Sequence, residues 1–340
     1  MTKCANKDSS VVLSNVVPFN EFFYYSCFYT MLFTAVQLLN KSVYPYMINL
    51  LSYYSLYYDE KRLGLYINVE NIKDLVLFSN EQGVNTKCKI YTPKLKDDII
   101  QALENNHPVI VSINCFYESL REEFYLKKDW RHSLLVYGFD MNKNLFYIVE
   151  HDHIDSPVYQ QRKIDMDELC RSYEGYIQVF QKPDEYTFFE LSSVSEAAYT
   201  EKYWRALYAK NQFDHLAKLK NGLTQILNMK EIFHERIAEK HLNLRQNIED
   251  MLNGVNNIIT FKKGQLYLLN HLYRINDELT LKLQNIIDLW TSIRLNLAKY
   301  LYSKRNNDTN LYDIINKLQD VYNLENESLQ LIIKRRDIRG

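Results

Sequence analysis

Glycine and proline are scarce in this chain, at 8 and 6 of 340 residues. No proline follows Pro183, and the only glycines beyond it are Gly222, Gly254, Gly264 and Gly340. The usual helix breakers are therefore almost missing from the second half, which leaves helical periodicity uninterrupted there. Cysteine is sparse too. Cys4, Cys27, Cys88, Cys115 and Cys170 are odd in number and irregular in spacing, with no Cys-x-x-Cys pair, a pattern that argues against a disulfide framework or a structural zinc site. No window approaches the roughly 18 uncharged apolar residues that span a bilayer. Residues 1–8 carry no apolar run after their basic residues, so they do not read as a signal peptide. A reducing, cytoplasmic setting without a membrane is expected. Neither sign of charge dominates: 41 Lys and Arg against 42 Asp and Glu leave a net charge of −1, so nothing global points to nucleic acid or an anionic surface as partner. No repeat period or low-complexity tract stands out.

Apolar residues make up 46% of the chain and charged residues 24%, enough for a sizeable core and against disorder. Tyrosine is the outlier, at 28 residues. Its flat apolar face and hydroxyl suit an amphipathic cavity; the alternative is a compositional bias shared with Asn, Lys and Ile.

Two organisations follow one another along the sequence. In the first, apolar runs predict helices over 27–40, 43–58, 69–80 and 94–105, the last ended by His107-Pro108 because proline disfavours helix at the residue before it. Short strands are predicted at 86–91 and 158–163, and the β-branched run Val109-Ile110-Val111-Ser112-Ile113 reads as a central strand. Strands at 133–139 and 144–149 are joined by the polar turn Asp140-Met141-Asn142-Lys143. A helix at 166–172 and a strand at 176–181 complete an α+β domain over 15–182. Beyond Pro183, apolar positions recur at helical spacing: Leu216, Leu219, Leu223, Ile226 and Leu227, then Leu279, Leu283, Ile286, Ile287 and Trp290, then Leu311, Ile314, Ile315, Leu318 and Val321. With breaks expected at Asn253-Gly254, Lys262-Lys263-Gly264 and residues 304–308, a bundle of about four helices is predicted over 186–336.

The chemistry-bearing residues fall in the first part. Cys27 opens an apolar helix with Ser26 before it. A thiolate there faces the positive end of the helix dipole and unpaired N–H groups, which lower its pKa, and the Cys27 N–H is placed to serve half of an oxyanion hole. His132 opens a strand about a hundred residues on and is positioned to hydrogen-bond the sulfur. Asp152, just past the next strand, is positioned to hold the far imidazole nitrogen, and His151 is an alternative to it. Cysteine, histidine and acid in that order point to nucleophilic acyl chemistry. Glu150-His151-Asp152-His153 is a weak metal pattern without further placed ligands, and no metal is expected.

The cysteine segment, His132-Ser133-Leu134-Leu135-Val136-Tyr137-Gly138-Phe139-Asp140, and Phe146-Tyr147-Ile148-Val149-Glu150-His151-Asp152 resemble the papain-like cysteine peptidase fold over roughly residues 15–182. Within it they are similar to the C39-like branch and the related butirosin-pathway acyltransferase family. The resemblance implies a catalytic triad of Cys27, His132 and Asp152. C39-type peptidases place a glutamine about six residues before the cysteine as oxyanion donor. This chain has Asn20-Glu21 there, so Asn20 is the candidate. The missing glutamine weakens a peptidase reading and favours an amide-forming member of the family, similar to the type that joins polythioamide chains to a diamine in closthioamide biosynthesis. Such an enzyme takes an acyl chain from the phosphopantetheine thioester of an acyl or peptidyl carrier protein onto cysteine and passes it to a small amine, with no cofactor of its own. A cysteine peptidase or amidase and a non-catalytic papain-like scaffold are the alternatives. Two further expectations concern the second part. Tyr203, Trp204, Tyr208, Tyr267, Tyr273, Trp290, Tyr300 and Tyr302 either line a channel to Cys27 or fill the bundle core. Lys334-Arg335-Arg336 and Arg339 form either a solvated helix end or a dock for an acidic carrier.

Overall fold

The structure is a computed structural model and describes residues 9–22, 26–151, 158–194, 200–240, 242–273, 277–302 and 308–337. Along the chain it runs β1 (Ser10–Val12), α1 (Cys27–Leu38), α2 (Tyr44–Ile48), β2 (Leu50–Tyr58), β3 (Leu63–Asn71), α3 (Leu75–Glu81), β4 (Val84–Lys89), α4 (Leu95–Glu104), β5 (Val109–Asn114), β6 (Arg131–Asp140), β7 (Leu145–His151), β8 (Tyr159–Asp165), α5 (Met166–Val179) and β9 (Phe188–Ser193). Five helices follow: α6 (Glu201–Asp214), α7 (Leu216–Ala238), α8 (Leu244–Leu272), α9 (Glu278–Tyr302) and α10 (Asp308–Asp337). No helix among the described residues is long and apolar enough to cross a membrane.

The chain divides into two compact units, residues 1–43 with 74–197, and residues 44–73 with 198–340. The first is α+β. Its sheet has the order β4-β9-β5-β6-β7-β8, with β1 added against β6, and every pairing is antiparallel. Val109, Val111, Ile113, Leu134, Val136 and Ile148 alternate onto one face, where they pack with Ile99 and Leu103 of α4 and Leu169 and Tyr173 of α5. That alternation carries one residue further along β6 and β7 on the same face, to His132 and Glu150. The packed core thus ends, at one end of these interior strands, in two polar side chains. α1 packs against β5 and β6 through a run, Tyr29 to Val36, that is buried residue after residue. This burial follows from a helix apolar nearly all round.

Several expectations are corrected here. The predicted helix over 43–58 is instead the short α2 followed by β2, which pairs with β3 from Leu50↔Asn71 to Tyr58↔Leu63. This hairpin belongs to the second unit. β2 packs on α7 and β3 on α8, and two glycines set the distance: a Cβ on Gly222 would stand 3.0 Å from the Tyr54 backbone N, and one on Gly254 would stand 2.1 Å from the Leu65 carbonyl O. Gly254 is therefore a contact point and not a helix break, and α8 runs through it and through Gly264. The predicted strand over 176–181 is the end of α5, which Asp165 caps by accepting from the N–H groups of Asp167 and Glu168. The boundary expected between 182 and 186 lies further on, because β9 returns to the first sheet between β4 and β5. Arg335 of the basic C-terminal segment pairs with Asp277 at 2.8 Å.

Candidate functional site

Cys27 begins α1, and Ser26 makes no side-chain capping bond; its carbonyl accepts from the N–H groups of Tyr29 and Thr30, which leaves those of Cys27 and Phe28 without an intrahelical partner beside the sulfur. Cys27 is partly exposed. It lies in a cleft of about 1240 Å³, counting the open mouth, with Ser26, Phe28, Trp130, His132, His151, Tyr159 and Tyr176 among the lining residues. His132 and Ser133 lie close enough to the sulfur to favour its ionised form. Burial opposes ionisation of the thiol, but the charge of the His132 imidazolium and the polar groups of His132 and Ser133 overcome it and set the pKa below the ordinary cysteine value. The other described cysteines go the opposite way. Burial pushes Cys88 up to about 12, and raises Cys115 and Cys170 as well. Among the described residues, only Cys27 has the environment of a reactive thiol.

His132 is buried, and its Nε2 lies 2.8 Å from Glu150 Oε2. With Nε2 taken by the carboxylate, Nδ1 is the nitrogen left for the sulfur. Burial alone would lower the imidazole pKa; Glu150 and the Cys27 thiolate reverse this and raise it well above the ordinary value. Glu150 is fully buried. It also accepts from the His151 N–H at 2.5 Å and lies 3.4 Å from Arg121 Nη1. Burial works against its charge, but His132, Arg121 and the His151 N–H hold its carboxyl well below the usual range. A second carboxyl, Glu118, is fully buried beside Glu150, and neither of its oxygens has a donor among the described residues. Burial first, then the Glu150 charge, push its pKa far up. Burial beside the Glu150 charge thus favours the protonated form of Glu118.

The structure thus brings Cys27 and His132 together and supplies Glu150 behind the ring. Asp152 and His153 lie outside the described residues. Asn20 is placed elsewhere. Its Nδ2 donates to the Tyr159 carbonyl and its Oδ1 accepts the Tyr159 N–H, both at 2.8 Å. That pairing ties the segment before α1 to the start of β8, and Asn20 is not among the residues lining the cleft. Ligand atoms of His132, Glu150 and His151 lie within 4.8 Å of one another. A cation would have to break the His132–Glu150 bond to use them, so the set is poor metal chemistry.

Glu150 is legible in the sequence as a candidate. Phe146, Ile148, Glu150 and Asp152 share one parity, and the hairpin register sets Leu134 opposite Glu150. His132 is then the diagonal neighbour of Glu150, a spacing that a glutamate side chain reaches. Glu118 and Arg121 come from the turns between β5 and β6, and no sequence pattern marked them. The cleft residues all belong to the first unit, so the expected channel rings from the second part are not among them. No protein-family model matches the chain, and no curated protein is significantly similar to it.

Proposed function

We propose that the chain is a papain-like, C39-like acyltransferase that forms amide bonds through an acyl-cysteine. The observation that carries this reading is a partly exposed thiol of lowered pKa beside a buried imidazole that a carboxylate holds from behind. In the first half-reaction the Cys27 thiolate attacks the carbonyl of an acyl thioester on a phosphopantetheine-bearing carrier. The carbonyl carbon–sulfur bond of the carrier breaks, and the leaving thiolate takes the proton from His132. In the second, a neutral amine attacks the acyl-cysteine, His132 takes the amine proton, and Cys27 leaves as thiolate. Glu150 keeps the ring oriented and stabilises the imidazolium. The N–H groups of Cys27 and Phe28 at the start of α1 are the backbone donors nearest the sulfur for the oxyanion, with Asn20 spent on Tyr159.

Thioester exchange with a thiolate is near balance, and aminolysis runs downhill from it. The aromatic lining of Phe28, Trp130, Tyr159 and Tyr176 favours an acyl chain over water. A small amine, including a diamine, and a carrier protein are the partners this reading requires. The test is mass detection of an acyl group on Cys27 after incubation with an acyl N-acetylcysteamine thioester, and of its release with and without an added diamine. The expected result is a stable adduct released chiefly by the amine. Release at the same rate into water assigns an amidase or peptidase, and no adduct on a folded protein assigns a scaffold.

A further inference from the structure

The acyl-cysteine reading leaves a second imidazole of the cleft without a task. His151 closes β7 and lines the cleft together with Cys27 and His132. About 620 Å³ of that cleft is open to small molecules, a volume within the range of ligand sites. The His151 backbone is fixed on both sides. Its N–H donates to Glu150 Oε1 at 2.5 Å, and its carbonyl accepts from Arg162 Nη1 at 3.4 Å. The strand register sets it opposite Tyr159, and the two rings stand 4.1 Å apart, centre to centre. The imidazole is therefore a placed group, half-buried at the cleft wall. Its ring centre is 5.8 Å from that of His132, so an amine between the two meets one ring directly and the other across no more than one water.

Aminolysis sheds two protons when the amine arrives as an ammonium. Alkylamines do so at neutral pH, with pKa values near that of lysine, about 10.4. The ammonium must first become an amine, because it has no lone pair to attack with. The adduct nitrogen must then lose a second proton for the amide to form. His132 accepts one. In the acyl-enzyme it is neutral, having given its proton to the departing carrier thiolate, and one proton restores the imidazolium that faces the Cys27 thiolate. The other proton needs another acceptor. Arg121 and Arg131 of the cleft wall are already charged and are paired with carboxylates. Burial raises the phenols of Tyr159 and Tyr176, so they too keep their protons. Imidazole is the side chain that exchanges a proton near neutral pH. Among the described residues of the wall, His151 is the acceptor that remains.

We infer that His151 is the base that receives the amine substrate: it takes a proton from the arriving ammonium and delivers neutral amine to the acyl-cysteine. This rests on the acyl-transfer reading and extends it to a side chain outside the triad. The freed lone pair forms the carbon–nitrogen bond, and the adduct nitrogen gives its second proton to His132. The carbonyl carbon–sulfur bond then breaks and returns the Cys27 thiolate. His151 hands its proton to water through the open cleft, and the resting thiolate–imidazolium pair is restored. The substrate class is a basic alkylamine, taken up as the cation.

The test loads Cys27 of the parent, His151→Gln and His151→Asn to completion with an acyl N-acetylcysteamine thioester, then follows release by ethylamine and by methoxyamine at neutral pH by mass. The two amines have the same number of heavy atoms, but ethylamine arrives as the ammonium and methoxyamine as the neutral base. The ratio of the two release rates, ethylamine over methoxyamine, is expected to fall by about tenfold or more in each variant. A merely structural role for His151 would slow both amines alike and leave the ratio as it is. An unchanged ratio in a folded, loaded variant overturns the inference and leaves the acyl-transfer reading standing. A variant that folds but does not load places His151 in the first half-reaction and overturns the inference too. A parent that takes up no acyl group, or whose adduct ethylamine releases no faster than water does, overturns both readings.

Discussion

Replacing Glu150 by glutamine removes the charge behind His132 while keeping an acceptor of nearly the same shape. The Glu150 carboxylate is fully buried at 2.8 Å from Nε2, so little water screens the pair. At about 4 Å between charge centres and an effective dielectric of about 20, the attraction is of order 4 kcal/mol before desolvation is counted. Opposite charges at that range shift a pKa by about 1–3 units. The imidazolium is therefore expected to lose that much of its stabilisation. Because the imidazolium is what holds the Cys27 sulfur ionised, the thiol should titrate higher by at least about one unit, a tenfold loss of thiolate below its midpoint. The assay is the pH dependence of the iodoacetamide alkylation rate at Cys27, followed by mass. Glu118 offers a complication, since with Glu150 gone it is free to ionise in its place. The double variant Glu118→Gln/Glu150→Gln closes that route. An unchanged alkylation midpoint in the folded double variant would refute the claim that a buried carboxylate sustains the thiolate–imidazolium pair.

Cys27→Ala should abolish covalent loading at a stability cost on the order of 1–2 kcal/mol, while alanine at Cys88 or Cys170 should leave loading intact; intact-mass analysis and thermal melts read both. His132→Ala should lower turnover by roughly 10²–10⁴, and a variant that still turns over at the parent rate would remove His132 from the chemistry. Glu118 has a folded pKa above its unfolded value, so its contribution to stability is full below the ordinary carboxyl pKa and is lost as pH rises towards the folded one. Glu118→Gln should therefore melt higher than the parent at about pH 8, with the difference shrinking towards about pH 4. A difference equal at both pH values would show that Glu118 is not held protonated.

The parts of the fold legible in the sequence were those whose signal is local. α1 was marked by an apolar run that begins at Cys27, and the β6–β7 hairpin by two buried runs around Asp140-Met141-Asn142-Lys143. The β2–β3 hairpin was not legible. Leu50 to Tyr58 carries four tyrosines, which sit as easily on a helix as on a strand until the partner is known, and its partners are helices far along the chain. The C-terminal end of α5 was misread because Tyr176 and Ile177 favour strands, yet Gly175 lies where a Cβ would come 2.3 Å from the Tyr117 ring, a packing constraint no local pattern carries. At the site, Cys27 and His132 could be named from their places at the start of a helix and of a strand. Placing Glu150 behind His132 required the β6–β7 register, including its shift between Val136 and Gly138. The buried acid Glu118 required the turns themselves.

The hairpin also imposes an order on synthesis. Leu65 leaves the ribosome well over a hundred residues before Gly254, the point on α8 that receives it. At roughly 5–20 residues per second, the two strands wait on the order of ten to forty seconds for the helices that cover them. Throughout that interval the strands of the first unit are being made around an insertion whose apolar faces have nothing of their own to close on. A nascent chain released early, after β9 but before α7, would hold a complete first unit and a hairpin with no helix to lie against. Stalled or truncated translation products should for that reason be sticky in one place, the Leu50–Asn71 segment, while the Cys27 half can already be formed.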